Sequence, residues 1–306
     1  VSEANFGLQI PPTANDVTAA AQPNPGGTQK VTVPTLNGND AEDGTLQGGV
    51  GNTVKITTLP TNAKLYYDGT EITDVNTVIS DYDPTLLKID PNDGALTAIF
   101  KYREIDAAGF ISPEATVTMP FTEFAITGKV YHDADGTTNG LIDGTLIGSA
   151  DATVLYVNLV EKSSGMVKGW SAITAGGVYS FNTENGLQTN TVFDLVLSSV
   201  KGVVGTTTGA TPTLPSPWVN TAESSGTGDG LANGILQVSV VASNINSGLD
   251  FGIEKLPTPG SGNNFVLNPL GTANLTVPAN TFTNAEKSAD PDGKVTSIKS
   301  RHSRLM

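Results

Sequence analysis

A strand-like segment near the start of the chain, ANFGLQIPPT at residues 4–13, returns as LDFGIEKLPT at 249–258. The echo continues in order. QPNPGGTQKVTVP (22–34) matches VLNPLGTANLTVP (266–278), NDAEDG (39–44) matches SADPDG (288–293), and TVKIT (53–57) has a looser partner in SIKS (297–300). Correspondence held over roughly fifty residues constrains the fold more than any local motif, because it makes the chain one full period of a tandem array plus the start of the next. Residues 1–10 are then expected to be the counterpart of the closing strand at 246–255, and residues 272–306 the start of a second copy of the first module. Both ends read as cuts through an array.

Within the period, short runs alternate apolar and polar residues. Examples are KVTVP (30–34), TVKITTL (53–59), LTAIFKYRE (96–104), ATVTMPF (115–121), ITGKVYHD (126–133), TVLYVNLVE (153–161), VFDLVLSS (192–199) and LDFGIE (249–254). No window of about a dozen residues sustains helical spacing together with a cap and a stop. Glycine (34) and proline (18) punctuate the runs, as tight turns between strands require. The Asp-Gly of YYDGTEI (66–72) is the best hairpin signal. The expected fold is all-β, with tandem immunoglobulin-like β-sandwiches at 28–124 and 125–255 joined by Pro/Gly-rich linkers at 11–27 and 256–271.

Composition removes several function classes. There is no cysteine, so disulfides, thiolate nucleophiles and zinc-thiolate sites are out. With 16 basic against 30 acidic residues the formal charge is −14, which excludes the basic track that nucleic acid needs. No stretch approaches the ~20 apolar residues of a membrane-spanning helix.

The densest local constellation is VYHDADGTTNGLIDG (130–144), directly after a strand-like run. Oxygen ligands at alternating positions of a turning loop converge on a hard cation, and Ca²⁺ takes about six to eight of them. Asp133 and Asp135 form the first alternating pair; Asn139 offers an amide oxygen, Leu141 its carbonyl and Asp143 a last carboxylate. A solvated Asp/Asn turn is the competing reading. A second, shorter acidic turn holds Asp40, Glu42 and Asp43, with Asp106 as a possible helper, and an ordinary polar turn competes there too.

The run ITGKVYHDADGTTNGLIDG, then TVLYVNLVE, then GGVYSFNTENGLQTNTVFDLVL, closed by SGLDFGI, resembles the B-type repeat of serine-aspartate-repeat surface adhesins and the related collagen-adhesin B modules. The resemblance covers 125–255 and implies a prealbumin-like sandwich, with calcium held by Asp133, Asp135, Asn139, Leu141 and Asp143. The loop departs from the family by two extra residues between Asp135 and Asn139. The first module, through NDAEDG, LPTNAKLYYDG (59–69) and DPNDGALTAIFKYREIDAAG (90–109), resembles cadherin-like or immunoglobulin-like modules of long bacterial surface proteins. The alternation of the two with proline-rich joints resembles the tandem-repeat surface adhesins of Bacteroidota. Some collagen-adhesin modules carry a lysine isopeptide bond; Lys129 is expected to face solvent instead.

No nucleophile elbow, zinc-protease helix, P-loop or dinucleotide fingerprint occurs, and the two histidines, His132 and His302, are isolated. Catalysis is not expected. Trp170 and Trp218 are expected in the core rather than as sugar-stacking platforms. The expected role is a structural segment of an extracellular bacterial surface adhesin, a stalk or filament stiffened by Ca²⁺, with neighbouring copies as its partners and a host or substratum polysaccharide as a further candidate. Two alternatives stand beside it: a pilin-like subunit polymerising by strand exchange, and a carbohydrate-binding accessory module of a secreted protein.

Overall fold

The computed structural model describes residues 9–136, 141–224, 231–241, 248–259 and 288–289, and these form an all-β chain that includes a short 3-10 turn at Thr183–Asn185. The chain divides into two compact units. One comprises 1–126 with 181–191 and 239–245; the other comprises 127–180, 192–238 and 246–306.

In the first unit, Thr77–Ser80, Thr53–Thr58, Leu96–Ile105, Ala115–Thr122 and Val17–Thr18 lie in that order in one sheet, with Gln22–Pro23 also on Ala115–Thr122. A four-stranded sheet orders Val31–Thr32, Leu87–Pro91, Ala63–Tyr67 and Thr70–Ile72. Alternation sends Ala98, Phe100 and Tyr102 inward from their strand to meet Ile56, Leu65, Ile89 and Val117 in the core, while Ile99 stays half exposed. The hairpin at 66–72 forms as its Asp-Gly foretold: Asp68 (φ 45°) and Gly69 (φ 77°) both take the left-handed region that a two-residue hairpin turn needs.

One boundary differs from expectation. Residues 11–27 hold three short strands rather than a free joint. Thr13–Ala14 pairs with Gly38–Asp40, and Val17–Thr18 and Gln22–Pro23 run parallel to Ala115–Thr122. The extended backbone that proline favours also suits a sheet edge, where a missing N–H costs no ladder bond. Asn24 then closes the segment: fully buried, it donates to the Asn92 and Gly94 carbonyls, both at 2.7 Å, and accepts the Gly26 N–H at 3.0 Å. Residues 1–8, most of the 256–271 linker and nearly all of 272–306 lie outside the described residues. Two short pieces of this part are described. Thr258–Pro259 pairs antiparallel with Ser288–Ala289, and these occupy the sequence places of Thr13–Ala14 and Asn39–Asp40 in the first copy. The ladder therefore recurs, shifted by one residue: Thr13 faces Asn39, whereas Thr258 faces Ala289.

The second sandwich sets Thr145–Leu146, Ala125–His132, Asp250–Lys255 and Trp218–Ser224 in one sheet, with Val178–Asn182 also on Ala125–His132. Facing strands are Val167–Ala172, Tyr156–Glu161, Thr191–Ser198 and Ile235–Val240. Val130, Val157, Leu159, Tyr179, Leu195, Phe251 and Ile253 are buried between them. Asn158, fully buried, donates to the Val200 and Gly209 carbonyls and accepts the Gly202 N–H, all at 2.9 Å, which pins the excursion that follows Ser198. The opening strand Ala125–His132 and the closing strand Asp250–Lys255 lie side by side and parallel, with Val130 opposite Phe251 and His132 opposite Ile253.

Candidate metal centre

The acidic loop begins where the opening strand ends. Asp133 N–H donates to the Ile253 carbonyl at 2.9 Å, which extends the parallel pairing by one residue and carries the Asp133 side chain into the sheet end. There it is fully buried, and its Oδ2 accepts the Thr221 hydroxyl at 2.7 Å. The chain turns at once, with Gly136 N–H on the Asp133 carbonyl at 2.9 Å and Gly136 at φ 56°. This turn and the return at Asp143 bring one carboxylate oxygen each from Asp133, Asp135 and Asp143 within 4.8 Å of one another.

The electrostatics are those of a site that gains from a cation. Asp133 Oδ1 is buried with no hydrogen-bond partner. Burial pushes the Asp133 carboxyl above its ordinary range, and the charges of Asp135 and Asp143 push the same way. Hydrogen bonds from Thr221 and from the Asp143 backbone act against the rise. A desolvated carboxylate beside two others is costly unless it is protonated or coordinated. The donor set is all oxygen, which suits Ca²⁺.

Of the residues expected from sequence, Asp133, Asp135 and Asp143 are thus brought together. Asn139 lies outside the described residues, and Leu141 stands exposed beside the loop's return. In the second acidic turn Asp40 is also buried, with Oδ2 lacking a hydrogen-bond partner, but the other oxygens cap backbone. Asp40 Oδ1 accepts the N–H groups of Glu42 (2.8 Å) and Asp43 (2.7 Å), Asp43 Oδ2 accepts that of Ala107 (2.8 Å), and Asp106 Oδ1 accepts that of Phe110 (2.7 Å). These carboxylates cap backbone turns, as short acidic side chains do in tight hairpins. Among the described residues, Asp40, Glu42 and Asp43 form no convergent group of acids; the cluster at Asp133 is the one that does.

Thr221 and Gly252 support the site and were not singled out by sequence. A Cβ at Gly252 would stand 2.3 Å from Thr221 Oγ1 and 2.9 Å from Asp133 Oδ2, so the pair exists only because that position has no side chain. Glycine inside a strand pattern is the signal that would have found it. The isolated aromatics have ordinary work: Trp218 is buried, donates to Asp151 Oδ2 at 2.9 Å and packs against His132, and Trp170 has Lys201 Nζ 3.6 Å above its ring. The Lys129 side chain is exposed.

No protein-family model and no curated protein sequence matches the chain. Among solved structures, the major pilin subunit BcpA of Bacillus cereus is similar at 12% identity, covering 80% of this chain and 70% of that one, with a TM-score of 0.35; an aspartate-to-alanine variant of it gives 0.37 over the same shares. The BSP domain of a biofilm associated protein follows at 8% identity, with 79% of this chain, 53% of that one and a TM-score of 0.18. Identities and TM-scores this low leave the reading of the chain to its own residues.

Proposed function

We propose that the chain is a load-bearing segment of an extracellular surface adhesin, a stalk or filament of alternating β-sandwich modules stiffened by Ca²⁺. One observation carries this reading: in both units the terminal strands lie parallel and adjacent. Val17–Thr18 and Gln22–Pro23 run along Ala115–Thr122 in the first, and Ala125–His132 runs along Asp250–Lys255 in the second. Parallel neighbours send the chain in at one pole of a sandwich and out at the other, which is what head-to-tail extension needs. A pull on the two ends then shears the ladder, loading its hydrogen bonds together rather than one at a time. The recurrence of the Thr13–Ala14 ladder at Thr258–Pro259 supports an array of such modules.

The cluster of Asp133, Asp135 and Asp143 is where Ca²⁺ would bind, at the end of the sheared pair. Strand exchange is the weaker reading, since the second sandwich already receives its closing strand from its own chain. A sugar platform is also disfavoured: Trp218 is buried and Lys201 covers the Trp170 ring. Single-molecule pulling of the full chain by its ends tests the proposal. One unfolding event should move to higher force with Ca²⁺ and lose that gain in chelator or in the double variant Asp133→Asn, Asp143→Asn. Forces unaffected by chelator would remove calcium from the account; events at the low force of peeling ladders would remove the mechanical role.

A further inference from the structure

The parallel register that places His132 opposite Ile253 makes Glu254 the neighbour of Asp133 on the closing strand. Alternation puts Phe251 and Ile253 in the core and turns Gly252 and Glu254 to the other face. That face carries the Asp133 carboxylate, whose Oδ2 lies 2.9 Å from the place of a Gly252 Cβ. Glu254 stands beside the start of the acidic loop, outside the close group that the three aspartates form. Its Oε2 and Oε1 stand 3.5 and 3.7 Å from where a Cβ on Gly136 would be, one residue past Asp135.

We infer that Glu254 turns its carboxylate onto a divalent cation held by Asp133, Asp135 and Asp143, so that the ion staples the loop to the closing strand. The inference rests on the calcium reading above and extends it to a residue from a second element. The cluster qualifies as a cation site because Asp133 Oδ1, wholly buried, has no hydrogen-bond partner where the three acids meet. Three carboxylates that all follow the opening strand would hold an ion chiefly at that strand's end. A carboxylate from Asp250–Lys255 changes that, because this strand pairs with both Ala125–His132 and Trp218–Ser224. Binding then tightens the ladder that the chain's exit would otherwise fray.

Calorimetric titration of the full chain with Ca²⁺ alone tests this, comparing wild type, Glu254→Gln and Glu254→Asp, with Glu71→Gln, an acid of the first unit, as control. Glu254→Gln should weaken binding roughly tenfold at unchanged stoichiometry, Glu254→Asp should recover part of the loss, and Glu71→Gln should match wild type. Hydrogen exchange adds a readout that a merely structural glutamate would not move: Ca²⁺ should slow exchange across 250–255 in wild type and lose that effect in Glu254→Gln. Melting in chelator shows whether each variant is folded. Wild-type affinity within twofold in Glu254→Gln, or no recovery in Glu254→Asp, overturns the role of Glu254 and leaves the calcium site standing. No Ca²⁺ binding by wild type overturns both.

Discussion

Glu104 occupies a position where its strand calls for another apolar side chain. Ala98, Phe100 and Tyr102 precede it on the inward face, all fully buried; Glu104 itself is 1% exposed, and neither carboxylate oxygen has a hydrogen-bond partner. Burial pushes its carboxyl up to about 8 from an ordinary 4.5. The folded first unit therefore keeps a proton that the unfolded chain releases. Stability from this source is complete below about pH 4.5, declines as pH rises, and has been lost once pH passes about 8. At about 1.4 kcal/mol per pH unit, the gap between 4.5 and about 8 is on the order of 5 kcal/mol. Between pH 5 and 8 the loss is about 3 to 4 kcal/mol, which at an m-value of about 2 kcal/mol/M lowers the urea midpoint by about 2 M. Pulse-labelling hydrogen exchange across a urea series reads this locally, from peptides covering 96–105. The wild-type midpoint should fall steadily from pH 5 to 8, and Glu104→Gln should flatten the profile. A flat wild-type profile, or a Glu104→Gln profile as steep as wild type, would refute the reasoning.

Two further substitutions test the second unit. Gly252→Ala places a methyl 2.3 Å from Thr221 Oγ1 and 2.9 Å from Asp133 Oδ2, and should cost about 2 kcal/mol of stability by overpacking and weaken Ca²⁺ binding; unchanged melting would show that the Asp133–Thr221 pair is not held as described. Asn158→Ala removes the partners of Val200, Gly202 and Gly209 and should cost about 3 kcal/mol, read as a lower melting temperature and faster proteolysis within 199–213. A loss below about 0.5 kcal/mol would mean that water replaces the amide.

The sequence made the strands legible where period-two alternation was strong. Thr53–Thr58, Leu96–Ile105, Ala115–Thr122, Ala125–His132 and Thr191–Ser198 follow their runs closely. It failed where tertiary pairing, not local pattern, makes the strand. Val17–Thr18 and Gln22–Pro23 sit among prolines and alanines and are strands only because Ala115–Thr122 offers an edge. Likewise Trp218–Ser224 has weak alternation and is fixed by its partner Asp250–Lys255. The acidic loop could be read because its donors cluster in sequence. Its support could not: Thr221 is 88 residues from Asp133, and only the fold makes Gly252 and Glu254 its neighbours. At Asp40 the sequence leaves two readings open, because acids that cap backbone and acids that hold ions share one sequence signature.

The arrangement of the second unit links these features to load. In the proposed load-bearing segment, force would enter along Ala125–His132 and leave along Asp250–Lys255, and the bonds between them, from Val130 opposite Phe251 to His132 opposite Ile253, would resist in shear. The last of the series is Asp133 N–H on the Ile253 carbonyl, and the acids begin at that same residue. A sheet end is where fraying starts, since its outermost bond has a neighbour on one side only. Unneutralised, Asp133, Asp135 and Asp143 repel one another there and weaken the end of the ladder. An ion bound there would reverse the sign, turning the repulsion into a clamp across the point of first failure. The buried Asp133 oxygen without a hydrogen-bond partner is costly by itself; under the proposal the same feature would make the fold respond to Ca²⁺. On the proposed reading, stiffness would follow the Ca²⁺ concentration around the chain, without any change in the sandwich core.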